Sequence, residues 1–171
     1  MRTAFWGKVD ALARRLTPFG LTVILVLIGA VPLHLPGFAS VTPLLPMIGI
    51  YYWAIYRPDL MPVAAVFFIG LLYDALSGAP MGVNAAILVI VHGIIDSQRR
   101  FFAGKSFMII WLGFFLVSAG ALLVTWLLVS AYYGTLVKSD ALMVQYMITL
   151  GCFPLLSWAL LRWQRAFLRQ A

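Results

Sequence analysis

The sequence contains no glutamate, and its five acids, Asp10, Asp59, Asp74, Asp96 and Asp140, are scattered over 171 residues. Charged residues make up only 10% of the chain, against about a quarter in soluble domains. So few charges cannot cover the surface of a water-soluble domain of this length. Cys152 is alone, which excludes an internal disulfide and leaves the redox compartment unspecified. The two histidines, His34 and His92, fall on different segments and at a different depth from Cys152, so no zinc site is expected. Asp74 and Asp96 are expected near opposite faces of the membrane and cannot pair as a carboxylate dyad. No serine has a histidine base at its own depth. Catalytic, metal and cofactor sites are therefore all expected to be absent, and the chain is not expected to be an enzyme.

What is abundant is apolar residue, 64% of the chain, arranged in six blocks at 17–33, 41–56, 60–77, 81–95, 107–131 and 142–161. Long apolar runs separated by short polar breaks are how a chain reads when lipid is its solvent. The fifth and sixth blocks exceed the length needed to cross about 30 Å of hydrocarbon, whereas the first four are at or below it. Charge decides where length does not. Six spans with a cytoplasmic N-terminus put eleven basic residues inside, and only Lys138 outside. If block 60–77 alone failed to cross, the division would be six against six. A strong cytoplasmic excess of Lys and Arg is the rule for membrane helices, so six spans with both termini cytoplasmic are expected. A hairpin of the second and third blocks dipping in from outside would move only Arg57, and the charge rule leaves it open.

The expected architecture is thus all-α: a polytopic membrane protein with six transmembrane helices, forming a single integral membrane domain over 1–171. Residues 1–16 carry Phe5, Val9, Leu12 and Leu16 at helical spacing and read either as an amphipathic interfacial helix or as a basic flank of the first span. No cleavable signal is expected, so the first apolar run stays as an anchor. Tyr51, Tyr52, Trp53 and Tyr56 are placed near the inner headgroup level, where amphipathic rings concentrate. The net charge of +7 is carried at block ends, so anionic lipid is the expected partner and nucleic acid is not.

The densest polar feature lies between the third and fourth blocks. Asp74 stands three residues inside the end of an apolar run, followed by Ser77, Gly78, Pro80, Gly82 and Asn84. Ser77 or Gly78 is expected to cap the fourth helix and Pro80 to occupy its first turn. The Asp74 carboxylate would then face the positive end of that helix. As a cap it should tolerate replacement by asparagine; as a partner contact, proton site or ligand site it should not. Asn84 and Gln145 lie at about the same depth, either bridging helices or lining a small pocket. His92 and Asp96, four apart on one helix face, are expected to pair.

The order Pro43-Leu44-Leu45-Pro46, Tyr51-Tyr52-Trp53, Tyr56-Arg57-Pro58-Asp59-Leu60 and Gly70-Leu71-Leu72-x-Asp74-x-x-x-Gly78-x-Pro80-x-Gly82 resembles the central region of the rod-shape-determining MreD family. The motif-level likeness covers about residues 43–100; the remainder matches in hydropathy alone. That resemblance implies a non-catalytic scaffold or regulator of cell-wall elongation in the bacterial inner membrane. It implies MreC as partner, with the RodA–PBP2 glycan synthase and MreB in the same complex. It also implies a fold similar to the substrate-capture subunits of energy-coupling-factor transporters, which keeps a small-molecule-capturing transporter subunit as the alternative. The expected contact is lateral packing of a partner helix on small residues, among them Gly70, Gly78, Gly82 and Ala86.

Overall fold

The structure, a computed structural model, describes the backbone of residues 2–31, 42–136 and 138–167, with side chains from residue 16 to 166 within those ranges. Six α-helices follow one another: α1 (Arg2–Gly29), α2 (Leu45–Tyr56), α3 (Val63–Ser77), α4 (Val83–Phe102), α5 (Phe107–Tyr133) and α6 (Asp140–Phe167). A single 3₁₀ turn, Pro58–Leu60, joins α2 to α3. The described residues contain no strand. His34 and the connection between the first two blocks lie outside them.

Local chemistry sets the boundaries. Pro46 lies in the first turn of α2, where a missing N–H costs nothing. Pro58 opens the 3₁₀ turn and Pro62 precedes α3. Glycines in the left-handed conformation end α3 and α5, Gly78 at φ 68° and Gly134 at φ 65°. Helix α1 runs unbroken from Arg2 to Gly29 with Pro18 inside. One turn later, Thr22 Oγ1 donates to the Pro18 carbonyl at 2.8 Å.

The core is built around α2. Its residues Leu45 to Ile55 are all buried, although its 12 residues extend only about 18 Å at 1.5 Å per residue. Helices α1, α4 and α6 surround it. Tyr51 and Trp53 are fully buried, and Tyr52 nearly so, so these rings face neighbouring helices. The Tyr51 hydroxyl donates to the Ile110 carbonyl at 2.9 Å, and the Tyr52 hydroxyl donates to Gln164 Oε1 at 2.9 Å. With a partner for each hydroxyl, both rings can be buried between helices. Tyr51 meets Phe102, Phe114 and Phe153 edge-on, and Phe114 stacks on Phe153 at 4.4 Å.

The outside of the bundle is as apolar as its inside. Ile28, Phe68, Leu116, Leu123 and Leu155 all point outward and are more than half exposed. Exposed apolar surface on this scale is unstable in water and natural in lipid. Two helices, Phe107–Tyr133 and Asp140–Ala166, are long and apolar enough to cross a membrane; Leu16–Gly29 and Val63–Ser77 are apolar but shorter.

Candidate functional site

Asp74 is 1% exposed, and both of its carboxylate oxygens are occupied. Oδ2 accepts from the backbone N–H of Gly82 at 2.9 Å and of Ala85 at 3.2 Å. Oδ1 accepts from the backbone N–H of Asn84 at 3.1 Å and from its Nδ2 at 2.9 Å. The carboxylate thereby takes up N–H groups at the start of α4 that have no intrahelical acceptor. It also places a negative charge at the positive end of the helix. An acid inside an apolar bundle is costly when unpaired and stable when its lone pairs are filled in this way.

The cap is therefore supplied across the hairpin, by the preceding helix, and not by a residue beside α4. Ser77 Oγ turns back to the Asp74 carbonyl at 3.5 Å. Gly78 terminates α3, and Gly82, at φ 95°, is the residue flanking α4. Pro80 lies in the connection, its carbonyl accepting from Val83 N–H at 3.2 Å, outside the first turn expected for it. Gly78 and Gly82 both have positive φ, a geometry that a Cβ penalises. The turn brings Asp74 and Asn84 together only because these two positions allow it.

Gly70 belongs to the same hairpin for a different reason. A Cβ built on it would lie 2.3 Å from Ala85 Cα, so α3 and α4 touch backbone to backbone there. Gly70 and Ala85 face each other inside the chain, which corrects the expectation that Gly70 offers itself to a partner. Ala86 is exposed.

Asn84 and Gln145 do share a cleft, lined also by Thr42, Tyr73, Ser77 and Thr125, of about 180 Å³. Their amides are engaged: Asn84 with Asp74, and Gln145 donating to the Thr42 carbonyl. His92 does not pair with Asp96. Its ring is buried, with the Met61 backbone beside it. Asp96 instead meets Arg99, Oδ1 to Nε, at 3.7 Å on the exposed side of α4. Among the described residues no three His, Cys, Asp or Glu side chains gather to hold a metal.

A surface that the sequence reading missed is a groove of about 310 Å³ between α4 and α5, walled by Ile87, Ile90, Ile94, Leu116, Gly120 and Val124 among others. Its signal was present as Gly120, a small residue inside an apolar helix. Nothing lies within 4 Å of a Cβ built there.

An all-helical bundle with an apolar exterior, two long apolar helices and a polar cap buried in a helical hairpin defines a membrane protein with a structural site. The chain belongs to the MreD family: the family model described as rod shape-determining protein MreD matches residues 11–169. That family is described as shape-determining, and it is a family of membrane proteins. The chain is also similar to an uncharacterized protein of Rickettsia prowazekii (strain Madrid E), 29% identical over 72 residues. That likeness covers 42% of this chain and 40% of the relative, so the chain spans about two fifths of that relative's length. No solved structure matches.

Proposed function

We propose that this protein is a non-catalytic, six-span scaffold of the cell-wall elongation complex that binds a membrane helix of MreC and, through it, the peptidoglycan synthase. In this reading it sits in the bacterial inner membrane with both termini cytoplasmic. The observation that carries the reading is membership of the MreD family over nearly the whole chain. The open groove between α4 and α5 supports a lateral contact. Ala86, Ile90, Gly93, Ile94 and Ser97 form one exposed stripe along α4, and close helix packing is what holds helices together in lipid. The Asp74 cap has a structural part: it fixes where α4 starts and so how that stripe is presented.

The alternative, small-molecule capture, is favoured by the cleft at Asn84 and Gln145. Its volume of about 180 Å³ falls below the roughly 300–1,000 Å³ of ligand pockets, and its amides are already bonded. Co-expression with tagged MreC and purification from membranes tests the scaffold reading. Stable co-purification is expected; a separately purified chain carrying a bound small molecule would favour capture instead.

A further inference from the structure

A second groove opens between α2, α5 and α6, at the end of the bundle where α6 carries its arginines. It encloses about 350 Å³, and its wall is almost wholly apolar: Tyr51, Tyr52, Phe107, Phe153, Trp158 and Leu161. Pro154 and Ser157 complete the α6 side. Pro154 cannot donate to the helix ladder and crowds the preceding turn. No acid lines the groove, and none follows Asp140 in the sequence. Its rim is cationic. The Arg162 guanidinium lies 5.3 Å from the centre of the Trp158 ring, itself 60% exposed. Arg165 follows Gln164, whose Oε1 accepts from the hydroxyl of Tyr52 in the groove wall.

We infer that this groove is a binding site for an anionic phospholipid, with one acyl chain along the aromatic wall and the headgroup phosphate on Arg162 and Arg165. An aromatic wall accepts hydrocarbon but gives a free anion no donors. Planar guanidinium groups match phosphate oxygens in pairs. Exposed tryptophan beside arginine marks the level where headgroups meet acyl chains. This site lies on other helices than the proposed helix-docking stripe of α4, and it stands or falls independently of the MreC reading.

Trp158 reports on the site directly. The full chain is reconstituted in phosphatidylcholine nanodiscs doped with brominated-chain phosphatidylglycerol, or with brominated-chain phosphatidylcholine. The Trp158 signal is taken as the difference from Trp158→Phe. Bromine-labelled phosphatidylglycerol should quench that signal at a several-fold lower mole fraction than bromine-labelled phosphatidylcholine. Arg162→Gln with Arg165→Gln should abolish the preference without changing the melting temperature, and millimolar inorganic phosphate should not compete. Equal quenching by the two lipids in the unaltered protein would mean an ordinary lipid annulus and overturn the site, whether or not the double variant folds. Preference surviving in a folded double variant, or displaced by inorganic phosphate, would overturn it as well.

Discussion

The side-chain amide of Asn84 donates to Oδ1 of Asp74 at 2.9 Å, ten residues back in the sequence. Three backbone N–H groups point at the same carboxylate. That set of donors revises the expectation for Asp74→Asn. An asparagine offers one acceptor oxygen and sets an NH₂ against backbone N–H groups, which can only donate. The variant should lose about 1–3 kcal/mol, the cost of a buried donor left without a partner, and Asp74→Leu should lose more. Thermal melting in one detergent ranks the three proteins. An Asp74→Asn protein as stable as the parent would show that the carboxylate is not the cap.

Gly70 and Ala86 make a paired test of which small residues serve the fold. Gly70→Ala forces a Cβ to 2.3 Å from the Ala85 backbone and should cost at least about 1–3 kcal/mol, as overpacking does. Ala86→Leu, on an exposed position of α4, should change stability by no more than ~0.5 kcal/mol. Melting curves for the two variants would contradict the helix contact if they moved together.

Tyr51 divides its contribution between a hydroxyl and a ring. Tyr51→Phe removes only the bond to the Ile110 carbonyl and should cost about 0.5–1.5 kcal/mol. Tyr51→Ala also empties the space between Phe102, Phe114 and Phe153, for about 3–5 kcal/mol. Similar losses in both, read by denaturation in mixed micelles, would mean that the hydroxyl and not the ring anchors α2.

Topology is testable from the charge division. In a protein with Cys152→Ser, Lys138→Cys should react with an impermeant thiol reagent on intact spheroplasts. Arg169→Cys should react only after permeabilisation. Labelling of both from outside would remove the six-span arrangement.

Some of this was legible in the residues and some was not. An acid ending an apolar run before Gly-x-Pro-x-Gly signals a helix junction, and Asp74 does cap α4. Which N–H groups it would collect was hidden, because that depends on the left-handed backbone at Gly78 and Gly82. That Tyr51 and Tyr52 are buried between helices was hidden, because their hydroxyl partners, Ile110 and Gln164, are 59 and 112 residues away. Without those partners in view, an amphipathic ring reads as an interface anchor. Small residues misled for a related reason. In lipid the inside and outside of a bundle are equally apolar, so Gly70 facing Ala85 and Gly93 facing outward look alike in sequence.

The central claim is that the α4–α5 groove receives the membrane helix of MreC. It is tested most directly by a photoreactive amino acid placed singly at Ile90, at Leu116 and, as a control on another face, at Phe68, all strongly exposed. The proteins are irradiated in membranes containing MreC. The account predicts cross-links to MreC from Ile90 and Leu116 and none from Phe68. Cross-links from Phe68 alone, or equally from all three positions, would contradict it.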